Sequence, residues 1–405
     1  MKFVFFLILI PFLFFSNPLK CQTVEPVITS DGVTARQKDL LDVVKKIKKK
    51  NREDSVVSPH QGKSNLHISV LPMAGYSLQT GFAILGVANA AFYTDTTVKT
   101  NVSSVLTNIT YSQYNQILFP FQTTIWTKGN RYKIITDWRF LKFPSITYGL
   151  GGNTIPSNGY NINYFHLRFY QTVLKSIGSN IYAGLGFNLD FLWNVQELGL
   201  SANEITDFQL YGYSKKSTAA GPTFNLSFDN RENSINPNQG YFMQGTYRPN
   251  LKLMGSSSNW QSLIVDSRKY VKFPTHSENV LAFWNYNWLT LNGDPPYLLL
   301  PSTGTDINNN SGRGYIQGRF RSKNMLYLET EYRFKITRNG LLGAVTFINA
   351  QSFTEQNNQF SKVIPGYGAG IRLKVNKYSR TNVGIDYGVG IGGSRGFFVN
   401  LGEVF

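Results

Sequence analysis

Residues 311–334 read SGRGYIQGRFRSKNMLYLETEYRF. From Met325 the stretch alternates strictly. Leu326, Leu328, Thr330, Tyr332 and Phe334 fall on one side, and Tyr327, Glu329, Glu331 and Arg333 on the other. A strand projects successive side chains to opposite faces, so one face is apolar and the other carries three charges. Charges on the concave face with aliphatic groups outside suit a barrel in lipid better than a soluble sandwich. Just upstream, Arg313-Gly314-Tyr315 lies in a long segment rich in Gly, Asn and Ser, which reads as a loop with a function of its own.

The same period of two recurs from residue 66 to residue 405. Tyr132, Ile134, Thr136, Trp138 and Phe140 oppose Arg131, Lys133, Asp137 and Arg139. Val383, Ile385, Tyr387 and Val389 oppose Asn382, Gly384, Asp386 and Gly388, and Ala369, Ile371 and Leu373 oppose Gly370, Arg372 and Lys374. Val280, Ala282, Trp284, Tyr286 and Trp288 are expected to form an outer, lipid-facing row. A helix cannot carry this pattern, because a period of two scatters apolar groups all round its cylinder. Glycines on the polar face relieve crowding inside a curved sheet. About sixteen such segments are expected, among them 205–214, with 381–405 split in two near Gly392–Ser394. The expected fold is an all-β transmembrane antiparallel barrel of about sixteen strands, preceded by a short periplasmic helical segment. Sixteen strands leave a bore wide enough for water unless something fills it.

The ends and the composition support export. One lysine, Lys2, precedes an apolar run from Phe3 to Phe15 broken by Pro11, which reads as a signal peptide over 1–21. Lys20 argues against lipid on Cys21, since lipoprotein processing wants a small residue there. Without Lys2 and Lys20 the +17 chain carries +15. An exported chain rarely meets nucleic acid, so acidic lipid headgroups or a cation-lined lumen are the expected counterparts of that charge. Aromatic residues make up 15%, as interface girdles require. Residues 22–65 form a linker. Within it Leu40, Val43, Val44 and Ile47 lie at helical spacing, with Lys45, Lys46, Lys48, Lys49 and Lys50 over the remaining surface. No apolar run after residue 21 is long enough for a spanning helix, so passage must be by strands.

Beyond Cys21 the chain has no cysteine, and its four histidines show no metal-ligand spacing. No catalytic triad or phosphate-cradling glycine loop stands out. The chain is read as a non-enzyme with no metal, no cofactor and no catalytic residues.

Four stretches, in order, resemble the BamA/TamA superfamily of outer-membrane barrels, also called the bacterial surface antigen family. LPMAGYSLQTGF resembles its first hairpin. FDNRENSINPNQGYF carries its mid-chain hairpin pattern through Asp229, Arg231, Pro237 and Gly240. GRGY matches its lumenal loop motif at Arg313, Gly314 and Tyr315. RGFFVNLGEVF resembles its closing strand, with Phe405 as the terminal aromatic. The resemblance implies a barrel over 66–405 whose long loop folds into the lumen. There Arg313 would meet Glu331, with Asn349 at the second, usually acidic, position and Glu329 as a substitute. Phe405 would be an interface aromatic or an insertion signal.

The resemblance further implies a bacterial outer-membrane location, contact with outer-membrane lipid, and a role in inserting or translocating proteins or lipids through a lateral seam. Unfolded outer-membrane clients or other envelope assembly subunits are the implied partners. POTRA modules, usual in relatives, have no room here. The alternatives are an anion-preferring channel, motivated by Arg131, Lys133, Arg139, Arg372 and Lys374 on inner faces, or a non-catalytic scaffold subunit.

Overall fold

The computed structural model describes residues 37–40, 42–43, 66–201, 204–360, 362–377 and 380–405. The proposed signal peptide, Cys21 and the lysine run 45–50 lie outside these residues.

The strands are β1 (Leu66–Ser77), β2 (Gly81–Phe92), β3 (Ser103–Ser112), β4 (Ile117–Trp126), β5 (Tyr132–Lys142) and β6 (Ser145–Thr147). They continue as β7 (Tyr160–Gly178), β8 (Ile181–Leu198), β9 (Lys216–Asp229), β10 (Gly240–Asn250), β11 (Trp260–Lys272) and β12 (Val280–Gly293). The last are β13 (Asn324–Lys335), β14 (Leu342–Phe353), β15 (Ile364–Asn376), β16 (Thr381–Gly390) and β17 (Arg395–Leu401). Neighbours in sequence pair antiparallel throughout. β5 and β6 are two pieces of one strand, both laid against β7, so the wall has sixteen strands. The division of 381–405 into two strands is as expected.

Segment 205–214 is not a strand. It forms a short helix, α1 (Asp207–Gly212), in the β8–β9 loop. The Thr206 hydroxyl accepts a hydrogen bond from the Gln209 N–H at 3.1 Å. Thr206-x-x-Gln209 is the capping-box spacing that local alternation concealed.

The wall sorts side chains by face, as a lipid-embedded barrel requires. Ile84, Val70 and Ile109 stand 73%, 69% and 61% exposed on the outside, an apolar belt too extensive for a water-facing monomer. Inside, Tyr327, Glu329, Glu331 and Arg333 of β13 are buried, so the face assignment of the deciding strand holds.

The face assignment of β12 does not hold. Val280, Ala282, Trp284, Tyr286 and Trp288 are buried in the lumen, while Phe283 faces outward. The Trp284 indole N–H donates to Asp266 on β11 at 3.0 Å, a partner that lipid could not supply. Alternation located the two faces but not their sides, because this sector of the lumen is filled with aromatics. Tyr270, Trp284, Tyr286, Trp288, Tyr327 and Phe353 form one buried cluster there.

The two ends of the barrel differ. At one, long loops join β6 to β7, β8 to β9 and β12 to β13. At the other lie tight turns, the start of β1 and the end of β17. Leu40, Asp42 and Val43 are helical and dock at this second end. There the buried Asp39 carboxylate accepts the Lys377 N–H at 3.0 Å, and Asp42 pairs with Lys377 Nζ at 2.7 Å.

Candidate functional site: the lumenal loop and the seam

The loop between β12 and β13 folds into the lumen. Arg313 is 1% exposed and Tyr315 2%. Register sets the level at which it binds. Glu329 on β13 lies opposite Asn349 on β14, which lies opposite Gly366 on β15, which lies opposite Gly390 on β16. The glycines on and beside this row leave room for the loop's main chain. A Cβ on Gly388 would stand 2.6 Å from the Gly314 nitrogen, and one on Gly366 2.7 Å from the Arg313 carbonyl oxygen. Gly314 itself has φ +109, a conformation that side-chain-bearing residues rarely adopt. The polar-face glycines thus form a groove shaped to the Arg-Gly-Tyr motif.

The Arg313 guanidinium reaches three carboxylates. Nη1 donates to Asp386 at 2.6 Å, and Nη2 bonds Glu329 and Glu331. Its Cζ lies over the Phe347 ring, 3.6 Å from the ring centre. Tyr315 Oη donates to the Pro365 carbonyl and accepts the Ile391 N–H at 2.9 Å. The expected Arg313–Glu331 and Arg313–Glu329 pairs are therefore present.

Asn349 plays a different part from the one expected. Its amide donates to the Arg313 carbonyl at 2.9 Å, and its side-chain oxygen accepts no hydrogen bond. It holds the loop's backbone, not the guanidinium. The missing second acid is supplied by Asp386 on β16. Alternation in the sequence places Asp386 on the polar face but does not link it to Arg313. The two are 73 residues apart and meet only through the curvature of the wall.

The loop tip crosses to the opposite wall. Arg139 on β5 bonds the Ile307 carbonyl and Asn309 Oδ1 (3.2 Å), and Gln122 on β4 bonds Ile307 as well. The lumen is therefore spanned by protein at this level. Among the described residues, no group of three or more His, Cys, Asp or Glu side chains is placed to hold a metal ion. His166 is paired with Asp190 at 2.8 Å inside the wall.

The mid-chain hairpin motif joins β9 to β10. Arg231 makes a bidentate pair with Asp229, both bonds 2.8 Å, and Lys133 approaches Asp229 at 3.2 Å. Pro237 is buried, and Gly240 has φ +115 where the chain enters β10.

Phe405 departs from one of its two expected roles, that of an interface aromatic. β17 ends at Leu401, and Gly402, with φ +96, turns the chain inward. Phe405 is buried in the lumen, stacked on Trp284 with ring centres 5.1 Å apart. An interface aromatic would sit on the outer surface; this one packs against the aromatic core.

Between β1 and β17 no residue-by-residue ladder forms among the described residues. Just beyond β1, the Leu78 N–H donates to the Phe397 carbonyl at 3.3 Å across this contact. By contrast, β1 and β2 pair over twelve positions. The barrel is closed in outline and has a seam.

No protein-family model and no curated protein matches the sequence. Among solved structures, BamA from Haemophilus ducreyi lacking POTRA domains 1–3 is similar over 83% of this chain and 70% of that one, with TM-score 0.53 and 11% identity. CdiB from Acinetobacter baumannii is similar over 85% of this chain and 61% of that one, with TM-score 0.53 and 12% identity. The chain has the BamA-type barrel fold. It spans under two thirds of the CdiB chain. In this BamA-type barrel the lumenal loop, its acidic receptor and the seam lie together in the β13–β17 sector.

Proposed function

We propose that this chain is an outer-membrane barrel that inserts or translocates polypeptides, or lipids, through the seam between β1 and β17. The observation that carries the reading is the missing ladder. A lipid-exposed sheet edge with unpaired N–H and C=O groups is costly in hydrocarbon, so such an edge accepts an incoming strand by β-augmentation. Strand length supports the same reading. β7 and β8 run 19 and 18 residues, whereas β16 and β17 run 10 and 7. The low wall beside the seam favours a locally thinned bilayer.

The anion-channel alternative loses much of its motivation. Lys133, Arg139 and Arg372, three of the cations behind it, are each paired with buried carboxylates, and the loop crosses the lumen.

The test is a seam lock. A Cβ on Gly75 would lie 3.7 Å from Val399 Cγ2, so Gly75→Cys with Val399→Cys, in a Cys21→Ala background, can form a disulfide. The barrel is reconstituted in phosphatidylcholine vesicles and supplied with an unfolded outer-membrane barrel, whose folding is read by heat-modifiable gel mobility. Oxidation is expected to abolish the assistance and reduction to restore it. Undiminished assistance by the oxidised form would eliminate lateral opening.

A further inference from the structure

The lumen holds a built receptor for the segment that follows β17, and it is continuous with the receptor for the loop. Glu403, Val404 and Phe405 are all buried. The Glu403 carboxylate accepts Arg372 Nε at 2.8 Å and Asn382 Nδ2 at 2.6 Å. Arg333 Nη2 donates to the Phe405 main-chain oxygen at 2.9 Å, and the Arg333 guanidinium lies 5.0 Å from the Phe405 ring centre. Trp284 and Tyr270 form the aromatic side of the receptor.

Both cations of this receptor also serve the loop. Arg372 bonds Asp386, which holds Arg313 Nη1, and Arg333 bonds Glu331 at 2.7 Å, which holds Arg313 Nη2. A direct bond reinforces the ring, because Asn310 of the loop donates to the Val404 carbonyl at 3.1 Å. Removing the loop strips Asp386 and Glu331 of their shared cation. Removing the segment strips Arg372 and Arg333 of Glu403 and the Phe405 main-chain oxygen.

We infer that residues 402–405 are a latch whose seating in the lumen is coupled to seating of the Arg313 loop, so that loop release and release of the last strand at the seam are one transition. The ligand class of the receptor is an acidic residue followed by an apolar and an aromatic one. The inference concerns closure of the barrel itself and stands apart from whether any client uses the seam.

Thermodynamic coupling is reciprocal, which gives the test. In full-length protein in detergent micelles, with Cys21→Ala, a maleimide reports latch exposure at Val404→Cys and loop exposure at Thr303→Cys, both buried sites. Glu403→Gln is expected to raise labelling at position 303 about tenfold, and Arg313→Gln to raise labelling at position 404 by a similar factor. Arg313→Gln exposing position 303 while leaving 404 protected would overturn the latch, as would Glu403→Gln without effect on the loop. Should either variant fail to fold, the two cysteine reporters are labelled in the otherwise native chain across sub-denaturing urea. One shared urea dependence supports a single transition, and two distinct dependences refute it.

Discussion

Arg313→Ala tests the loop receptor most directly. Within the buried cluster, Glu329, Glu331, Asp386 and Glu403 face Arg313, Arg333 and Arg372, four side-chain carboxylates against three guanidiniums. Removing Arg313 takes the formal balance from −1 to −2 and leaves Glu329 with the Tyr327 hydroxyl as its remaining polar contact. Breaking a buried pair by deleting one partner costs about 3–5 kcal/mol, chiefly because a charge is left uncompensated. Lost stacking on Phe347 adds to this. Net stabilities are on the order of 5–15 kcal/mol, so the loss should move the urea midpoint of the barrel in micelles far outside error. Arg313→Ala with Glu329→Gln removes one charge of each sign and returns the balance to −1, and it should recover at least about 1 kcal/mol. A cycle of Arg313→Ala and Glu331→Ala should show coupling above about 1 kcal/mol. Additivity within roughly 0.5 kcal/mol, or a single-variant cost below about 1 kcal/mol, would mean that the guanidinium is solvated and the receptor reading is wrong.

Other expectations follow from single contacts. Gly240→Ala places a Cβ 2.7 Å from the Arg231 Cα at a φ of +115, and should cost about 1–3 kcal/mol in the same titration. A neutral result would show that the hairpin can rearrange. Asp39→Ala deletes the acceptor for the Lys377 and Asp42 N–H groups, and should speed maleimide labelling of a Leu40→Cys reporter. Unchanged labelling would show that docking at the turn does not depend on that carboxylate.

How far the sequence could be read depended on whether local pattern or closure made the contact. β13 was legible because its inner face carries Glu329, Glu331 and Arg333, charges that cannot face lipid. β12 misled because Trp284, Tyr286 and Trp288 look like a lipid-facing row. They pack inside on Phe405 and its neighbours, and only Asp266 across the sheet reveals it. Asp386 was visible on a polar face, yet its pairing with Arg313 needed β16 to curve round to β13. Phe405 fitted the ending of a barrel strand, and the one local hint of its true course was Gly402. The hint lacked force because many strands end in glycine without turning inward.

The latch and the seam answer the same energetic problem. A ladder over the seven residues of β17 would supply several backbone hydrogen bonds, each contributing about 0.5–1.5 kcal/mol net in water and more where the alternative is hydrocarbon. Without that ladder, β17 is fixed on one side by β16. On its other side stands the bond to Leu78. Something else must keep the strand from leaving. Arg372, Asn382 and Arg333 do so from inside, through polar contacts to residues 403–405 that are shielded from water. Such contacts break as a unit, because loss of one leaves a buried charge that destabilises the next. A wall ladder would instead yield residue by residue, so closure through the lumen makes the seam an all-or-none element.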